Sequence, residues 1–233
     1  MDYSASAEFY DIVSHRHRLG TDPPLAEALA GVDTTRGPVA DLGAGTGRST
    51  EVIARTLPDA RILAVEPSPG MRAVLTSRVV SDDDLKARVT IVAGTAQEVR
   101  RPDRLSAAVI CGMVGYLNPT DRATLWRRLA DRLRPGAPIV VELMAISSPQ
   151  VVPSMCIARD LIGDHLYEAW MSGEPLGPDR MRWRARWQVS ERGTIIRECH
   201  MEHEWYTFGI DQIAVEAGMT GRRITSELGV LVR

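Results

Sequence analysis

The sequence predicts an α/β fold in which a mostly parallel sheet of seven strands carries helices on both faces. Short apolar runs bounded by turn residues alternate with segments of helical spacing over residues 39–143. Strands and helices that alternate in this way form right-handed crossovers and so build a parallel sheet. Residues 180–205 instead alternate apolar and polar side chains, which predicts an antiparallel β-hairpin inserted after the fifth strand.

Local signals delimit each strand and helix. Strands are expected at residues 39–42, 61–65, 89–93, 107–110, 139–143, 223–225 and 228–232. Helices are expected at residues 4–17, after Pro23-Pro24, at 48–57, from Ser68-Pro69, from Asn118-Pro119 and at 207–217. Serine or asparagine followed by proline is typical of a helix N-terminus. Residues 147–177 lack a clear period and are expected to be helical in pieces.

The register of the hairpin is predicted from the separation of apolar and charged side chains onto its two faces. A three-residue loop, Glu191-Arg192-Gly193, places glycine at the left-handed bulge position. This loop predicts the apolar-face pairs Val189–Ile195, Trp187–Arg197, Ala185–Cys199 and Trp183–Met201. The charged pairs that it predicts on the other face are Arg186–Glu198 and Arg182–Glu202. Because such an apolar face must be buried, residues 147–206 are expected to cover a ligand pocket or to form a homodimer interface.

Composition narrows the class of protein. The 233 residues suit a single domain, in which residues 1–35 form a helical cap. The formal net charge of -2 argues against non-specific binding to nucleic acid. No apolar run approaches the roughly 18 residues of a membrane helix, and the N-terminus lacks the basic segment of a signal peptide. The three cysteines form no C-x-x-C pair, so we expect a cytoplasmic protein without a metal site or a disulfide.

A glycine-rich loop follows the first predicted strand. Residues 41–47 read Asp-Leu-Gly-Ala-Gly-Thr-Gly and lead directly into a predicted helix. Glycine permits a tight turn and the close approach of a ligand, and the amides at a helix start favour polar or anionic groups. Glu66 ends the second strand, 19 residues after Gly47, where its carboxylate can accept hydrogen bonds from both hydroxyls of a ribose. The loop and the acid together predict a site for a nucleotide-like cofactor.

The glycine spacing distinguishes between two cofactors. Nicotinamide-dependent dehydrogenases use G-x-G-x-x-G, whereas Gly43, Gly45 and Gly47 follow G-x-G-x-G with Asp41 just ahead. This pattern resembles motif I of the class I S-adenosylmethionine-dependent methyltransferases, which have a Rossmann-like fold. The resemblance continues from about Phe9 to the C-terminus, and it implies an enzyme that uses S-adenosyl-L-methionine.

Later segments carry the same resemblance. Residues 66–68 with Met71 resemble the family's post-I motif, whose acid binds the ribose. Residues 94–96 lie where the family often has Gly-Asp-Ala, and the Asp of that motif bonds the adenine amine. Because Thr95 replaces this Asp, adenine recognition is expected from Thr95, from Gln97 or from the backbone of Ala96. Cys111-Gly112-Met113 resembles the segment whose backbone holds the methionine part.

Three further segments extend the resemblance. Residues 133–137 resemble the family's "LkPGG" turn, and residues 9–11 resemble its N-terminal "YD" element, which covers the cofactor. The inserted hairpin resembles that of small-molecule methyltransferases, including sugar N,N-dimethyltransferases. The cofactor-binding residues that the resemblance implies are Asp41, Gly43, Ala44, Gly45, Thr46, Gly47, Glu66, Pro67, Met71, Thr95, Ala96, Gln97, Cys111 and Gly112.

Two departures from related enzymes restrict the reaction. Methyltransferases of nucleobase amines carry D/N-P-P-Y/F after the fourth strand, but Asn118-Pro119 continues with Thr120-Asp121 and lies too far along the chain. Magnesium-dependent catechol enzymes need acidic ligands where this chain has Cys111-Gly112. We therefore expect a metal-independent enzyme that does not act on nucleic acid.

The sequence also offers candidates for catalysis. His203 lies on the predicted apolar face with Trp183 and Trp205, where it is either a general base or a structural histidine. Tyr10 is the second catalytic candidate, and it is expected to line the acceptor pocket with Tyr116. The predicted reaction moves a methyl group to N, O or C of a small molecule, with secondary metabolism as one setting. The alternatives are a protein that binds the cofactor for other chemistry, such as a cyclisation, and a non-catalytic partner.

Overall fold

The computed structural model describes residues 3–99 and 102–233, apart from the side chains of residues 17–19. In chain order the strands are β1 (Val39–Leu42), β2 (Ile62–Val65), β3 (Val89–Val92), β4 (Ala107–Cys111), β5 (Pro138–Glu142), β6 (Val152–Ile162), β7 (His165–Pro175), β8 (Arg180–Glu191), β9 (Thr194–Tyr206), β10 (Thr220–Arg223) and β11 (Leu228–Val232). The helices are α1 (Ala7–Leu29), α2 (Arg48–Thr56), α3 (Pro69–Val80), α4 (Asp83–Arg88), α5 (Pro119–Arg132) and α6 (Ile210–Ala217).

The central sheet has seven strands in the order β3-β2-β1-β4-β5-β11-β10. Strands β1 to β5 run parallel, and β11 lies antiparallel to both β5 and β10. Neighbouring residues of β1 face opposite sides of this sheet. Val39 belongs to the apolar cluster that contains Ile53 of α2 and Leu75 of α3, whereas Ala40 belongs to the cluster that contains Trp126 of α5. The predicted mostly parallel sheet with helices on both faces is confirmed.

The N-terminal helix is longer than the sequence indicates. We predicted a break at Pro23-Pro24, but both prolines lie inside α1. A proline inside a helix removes one hydrogen bond and crowds the preceding turn, at a cost of about 3 kcal/mol. Leu25 and Leu29 are fully buried in the core beyond the prolines, and this burial favours continuation of the helix.

The insertion after β5 is a four-stranded antiparallel sheet, in the order β6-β7-β8-β9. The prediction of helical pieces in residues 147–177 was therefore wrong. Strand β6 lies at the edge of this sheet and is exposed along most of its length. An edge strand exposed on both faces has no need to alternate apolar and polar residues, so its sequence lacks the two-residue period. Irregular pairing with β7 weakens the pattern further.

The hairpin of β8 and β9 is present, but its predicted register was wrong by two residues. The loop contains only Arg192 and Gly193, which have φ angles of 49° and 83°. Trp187 therefore pairs with Cys199 and Trp183 pairs with His203, with an irregularity beyond Val189. A shift of two residues keeps each side chain on its face of the sheet. The predicted ion pairs persist between diagonal neighbours: Arg186–Glu198 at 3.9 Å and Arg182–Glu202 at 3.3 Å.

Smaller differences concern the C-terminal elements. Helix α6 begins at Ile210 rather than at residue 207, and it ends at the left-handed Gly218, as expected. Strand β10 precedes its predicted position, because residues 224–227 form the turn into β11.

Within the described residues, none of the helices combines the length and apolarity needed to cross a membrane.

The four-stranded sheet is joined to the rest of the chain through its apolar face. Phe9 of α1 stacks on Trp187, with ring centroids 5.5 Å apart. Tyr116, in the turn after β4, meets the edge of Trp205 at 4.7 Å. A Cβ atom on the neighbouring Gly115 would lie only 2.0 Å from the Trp205 indole. This contact leaves no room for a side chain at Gly115.

Candidate functional site

The carboxyl ends of the parallel strands surround a cavity of about 340 Å³. This edge is where parallel α/β sheets bind ligands. The predicted site residues that line it are Tyr10, Gly43, Gly45, Glu66, Pro67, Met71, Thr95, Ala96, Gln97, Cys111 and Gly112. The other lining residues are Tyr3, Met113, Tyr116, Leu117 and Asp121. Sequence reasoning missed Tyr3, Leu117 and Asp121 because they belong to no motif and reach the cavity only through the fold.

Four predicted cofactor residues do not line this cavity. Ala44 is buried in the apolar core, and Gly47 precedes the first residue of α2. Gly47 has a φ angle of 97°, and a Cβ atom there would lie 2.7 Å from Leu75. Asp41 and Thr46 instead make hydrogen bonds that hold the loop, buried in the case of Asp41 and partly buried in the case of Thr46. These four residues therefore fix the conformation of the glycine loop and do not themselves line the cavity.

Glu66 links the glycine loop to the start of α3. One carboxylate oxygen, Oε2, accepts a hydrogen bond from the Gly45 amide at 2.9 Å, and Oε1 accepts one from the Ser68 amide at 2.8 Å. Each carboxylate oxygen has two acceptor positions, so one on each oxygen is not used by these amides. Glu66 is therefore a buried, fixed acceptor at the cavity wall.

Asp41 lies beneath the loop. Its carboxylate accepts hydrogen bonds from the Ser49 hydroxyl at 2.9 Å and the Thr50 hydroxyl at 2.5 Å. Burial raises the pKa of Asp41 to about 6, although these hydrogen bonds act in the opposite direction. Asp41 thus ties the first turn of α2 to β1 and positions the loop between them.

Helix α1 lies across the loop and is fastened at several points. Asp11 accepts a hydrogen bond from the Thr46 hydroxyl at 2.5 Å and pairs with Arg78 of α3 at 2.5 Å. The Ser4 hydroxyl accepts a hydrogen bond from the Gly70 amide at 3.0 Å. These contacts hold the start of α1, with Tyr10, against the cavity.

Three tyrosines form one wall of the cavity. The Tyr3 hydroxyl donates a hydrogen bond to the Tyr116 hydroxyl. Burial raises the pKa of Tyr3 and Tyr10 above the usual range and that of Tyr116 well above it. At neutral pH these hydroxyls are protonated. The Tyr10 and Tyr116 hydroxyls can orient an acceptor by donating hydrogen bonds, whereas the Tyr3 proton is engaged with Tyr116, and a tyrosinate base is disfavoured.

His203 lies behind this wall. Its ring contacts Tyr116, with centroids 5.3 Å apart, but His203 does not line the cavity. Burial lowers the pKa of His203 to about 4, so the imidazole is neutral at pH 7. The Nδ1 atom is buried and has no hydrogen-bond partner among the described residues. The catalytic role of His203 stays a prediction.

Cys111 lines the cavity, and Arg48 lies close to it without lining the cavity. Burial raises the pKa of the Cys111 thiol well above its usual value, and the nearby Glu142 carboxylate acts in the same direction. Arg48 pairs with Glu142 at 3.0 Å and with Asp22 at 3.7 Å, and it donates to Thr21 at 2.8 Å. The guanidinium charge is therefore balanced by carboxylates. The described residues contain no cluster of three or more histidine, cysteine or acidic side chains arranged to hold a metal ion.

A wider depression, of about 510 Å³, lies on the four-stranded sheet around Trp170 and His200. None of the predicted site residues lines it. Its Arg184 pairs with Glu174 at 2.8 Å and with Glu202 at 2.9 Å. Because its charges are mutually paired and it is distant in sequence from the motifs, we take the smaller cavity as the functional site.

Part of the chain is similar in sequence to known methyltransferases. Residues 39–136 match the family model described as a methyltransferase domain. Trans-aconitate 2-methyltransferase of Methylobacterium radiotolerans is 33% identical over 121 residues, which cover 52% of this chain and 43% of that protein. Carboxy-S-adenosyl-L-methionine synthase of Trichlorobacter lovleyi is 30% identical over 113 residues, covering 47% and 46%. The matched segment thus spans less than half the length of these relatives.

Solved structures extend the likeness to the whole fold. DesVI of Streptomyces venezuelae has a TM-score of 0.75 at 18% identity, covering 100% of this chain and 98% of DesVI. CalS10, an amino pentose methyltransferase of Micromonospora echinaspora solved with bound S-adenosylmethionine, has a TM-score of 0.71 at 18% identity, covering 92% and 90%. The Rossmann-like α/β fold inferred from the motifs is confirmed, because it is the fold of these two structures, and residues 39–136 match a methyltransferase domain.

Proposed function

We propose that this protein is an S-adenosylmethionine-dependent methyltransferase that transfers a methyl group to N, O or C of a small molecule. The proposal rests mainly on one observation. The buried Glu66 carboxylate joins the glycine loop at the wall of a cavity, within a segment that matches a methyltransferase domain. When bound, S-adenosylmethionine supplies an activated methyl group on a sulfonium with a neutral leaving group.

The cavity residues fit such a cofactor. The remaining acceptor positions of Glu66 suit the two hydroxyls of a ribose. Gly43 and Gly45 present no side chain, so a ligand can approach the loop closely. Cys111 and Gly112, at the end of β4, offer backbone groups to the methionine part. The remaining task of the chain is to align the donor with the acceptor and to exclude water.

We place the acceptor beneath residues 147–206, with residues 1–35 as a second cover within one domain. The Tyr10 and Tyr116 hydroxyls would orient the acceptor. Where the acceptor must lose a proton, neutral His203 would take it in a bound state in which Tyr116 moves aside, because the imidazole does not line this cavity. The apolar face offered above as a homodimer surface is covered within the chain, where Trp183 and Trp205 are buried. This burial supports the covering role.

The names of the relatives support a small-molecule acceptor without agreeing on its chemistry. One relative is named for trans-aconitate, and one structural neighbour is an amino pentose methyltransferase involved in calicheamicin biosynthesis. The second name supports a setting in secondary metabolism. The free cysteines Cys111, Cys156 and Cys199 suit the reducing cytoplasm.

Cofactor binding is the first test. S-adenosylhomocysteine should raise the melting temperature, as a ligand specific to the native state does, whereas NAD should not. Incubation with methyl-labelled cofactor and pooled small molecules should then give a labelled product, and EDTA should not reduce its yield. Stabilisation by NAD alone would refute the proposal, and a yield restored by magnesium after EDTA would refute metal independence.

A second candidate is cofactor binding for other chemistry. The similarity to carboxy-S-adenosyl-L-methionine synthase favours it, because that enzyme's name describes a modified cofactor rather than a methylated acceptor. Label retained in a cofactor-derived product would favour this candidate over methyl transfer. Binding without turnover of any pool would favour a non-catalytic partner.

A further inference from the structure

We infer that the acceptor atom is the nitrogen of an amine, and that Asp121 is the residue that selects a basic acceptor over an acidic one. The inference rests on the proposed function and deepens it, since that function leaves N, O and C open as acceptor atoms. Two properties of the cavity separate these acceptors: the charge of the side chains that line it, and the absence of a strong base among those that the structure describes.

The cavity is lined by two carboxylates, those of Glu66 and Asp121, and by no described lysine, arginine or histidine. Glu66 accepts hydrogen bonds from backbone amides, and Asp121 accepts one from the Asn118 side chain at 2.8 Å. Within the described residues, neither acid forms an ion pair. Because S-adenosylmethionine has one net positive charge, the two carboxylates leave the occupied cavity with negative charge in excess.

Three arginines lie beside elements that border the cavity, and each is engaged elsewhere. Arg48 pairs with Glu142 at 3.0 Å, and Arg78 pairs with Asp11 at 2.5 Å. Arg72 donates to the backbone carbonyls of residues 66 and 67. A carboxylate acceptor would therefore bind without a cationic partner from this part of the described chain. An unpaired carboxylate is costly to remove from water, so an acidic acceptor is disfavoured.

The lining groups are poorly suited to take a proton from an alcohol or a carbon acid. Burial raises the pKa of the three lining tyrosines and of the Cys111 thiol, so these groups hold their protons at neutral pH. The carboxylates of Glu66 and Asp121 are weak bases by nature. His203 lies behind the wall and does not line the cavity. An acceptor that reacts without losing a proton first is therefore favoured.

A neutral amine satisfies both conditions. Its nitrogen lone pair forms the new N–C bond, while the C–S bond breaks and leaves its electron pair on sulfur. The positive charge moves from the sulfonium to the methylated nitrogen, and no proton is transferred in this step. A carboxylate fixed beside the acceptor stabilises the charge that develops on nitrogen.

Asp121 is better placed than Glu66 for this role. Both oxygens of Glu66 are bound to backbone amides, whereas only Oδ2 of Asp121 accepts a hydrogen bond from the described residues. Asp121 lies in the first turn of α5, shortly after the turn that carries Tyr116. It therefore reaches the cavity from the same connection as one of the two tyrosines proposed to orient the acceptor.

The first test compares three pools of small molecules, each incubated with the full chain and methyl-labelled S-adenosylmethionine. One pool contains aliphatic amines with amino sugars, the second contains carboxylic acids with trans-aconitate, and the third contains alcohols with phenols. Label should enter the amine pool. More label in the acid pool or the alcohol pool than in the amine pool would overturn the inference. Failure to bind S-adenosylhomocysteine, or binding without label in any pool, would instead refute the proposed function and the inference with it.

The second test is Asp121→Asn, assayed with the amine that takes up the label. The Asn118 side chain also accepts from the Asp121 amide at 2.9 Å, and asparagine can keep both hydrogen bonds of this helix cap. The variant should lose roughly five- to tenfold in kcat/KM, the size of one charge interaction near a protein surface. Added salt should lower kcat/KM of the wild type more than that of the variant, because salt screens this interaction.

Asp211→Asn is the matched control, because Asp211 lies in the first turn of α6 with 84% of its side chain exposed and does not line the cavity. This control should change neither kcat/KM nor its salt dependence. In Asp121→Asn the calorimetric affinity for S-adenosylhomocysteine should stay within about twofold of the wild type. Unchanged kcat/KM in Asp121→Asn, or a loss confined to S-adenosylhomocysteine affinity, would overturn the role of Asp121 in selecting the acceptor.

Discussion

Glu66 serves both the folded structure and the proposed binding site. Its two carboxylate oxygens hold the amides of Gly45 and Ser68, and they face the cavity from a buried position. The motif predicts an acid at the end of β2, but the sequence does not show that the acid also closes the glycine loop. A substitution at Glu66 should therefore affect both ligand affinity and stability.

The Glu66→Ala variant should weaken S-adenosylhomocysteine binding by about 1.5–3 kcal/mol, the range for hydrogen bonds to a charged group. It should also lower the unfolding free energy by about 1–3 kcal/mol, because buried amides lose their acceptor. Glu66→Gln has one acceptor oxygen and should recover part of each loss. Calorimetry and urea unfolding measure the two effects, and unchanged affinity in both variants would exclude Glu66 as the ribose ligand.

His203 permits a sharp test of general-base catalysis. If the acceptor must lose a proton to His203, His203→Ala should reduce turnover by roughly 10²–10⁴-fold with cofactor affinity kept. The lowered pKa predicts that wild-type turnover changes little between pH 6 and 8 and falls toward pH 4 as the imidazole is protonated. His200→Ala is the matched control, because His200 is exposed on the opposite face of β9. Full turnover in His203→Ala would exclude the base.

Asp41 and His203 should have opposite effects on stability between about pH 4 and 6. The pKa of Asp41 is about 6 in the folded state and 3.8 in the unfolded chain, so its contribution to stability falls as pH rises. The pKa of His203 is about 4 in the folded state and 6.5 in the unfolded chain, so its contribution rises with pH. Each contribution is on the order of 3 kcal/mol, and the two act in opposite directions.

Replacing either Asp41 or His203 should expose the pH dependence that the other residue gives to the free energy of unfolding. Relative to the wild type, His203→Asn should lose stability as pH rises from 4.5 to 6.5, because only Asp41 remains. Asp41→Asn should gain stability over the same range. Urea unfolding of the three proteins at both pH values measures these differences, and parallel pH dependences would contradict the assigned directions.

Helix α1 shows where local sequence signals fail to predict a helix boundary. Pro23 and Pro24 predict a helix end, yet burial of Leu25 and Leu29 continues the helix beyond them. The parallel strands were predictable because each is a short apolar run bounded by turns. Strand β6 was not, because its exposed edge position imposes no alternation. Local propensity therefore predicts an element only where tertiary contacts agree with it.

The attachment of α1 can be tested at Asp11, which contacts both Thr46 and Arg78. Asp11→Ala should release the start of α1, so amide hydrogen exchange in residues 7–16 should become faster and S-adenosylhomocysteine should bind more weakly. Glu8→Ala is the matched control on the same helix, since the exposed Glu8–Arg197 pair is worth little. Equal exchange in both variants would show that Asp11 does not fasten the helix.

The sequence motifs predict most of the residues that line the cavity and little of the four-stranded sheet. The loop, Glu66 and residues 95–97 follow successive strands, so a parallel sheet alone brings them together. Tyr3 and Asp121 come from segments without a motif, and only the folded chain shows that they line the cavity. The paired strands β6 and β7 and the two-residue register shift depend on long-range contacts that no local pattern encodes.

The junction between the two sheets gives the last prediction. A Cβ atom on Gly115 would lie 2.0 Å from the Trp205 indole, so Gly115→Ala must displace either the turn after β4 or the four-stranded sheet. Overpacking of this kind costs about 1–3 kcal/mol. Because the glycine loop and Glu66 lie on the parallel sheet, S-adenosylhomocysteine affinity should change less than turnover.

Gly177→Ala is the matched control for this junction. Gly177 lies in the same insertion, and a Cβ atom there would meet nothing within 4 Å. This variant should therefore keep both stability and turnover. If Gly115→Ala loses stability but keeps turnover and cofactor affinity, then the position of the four-stranded sheet does not govern the reaction. The acceptor would then have to reach the cavity by a route that residues 147–206 do not cover.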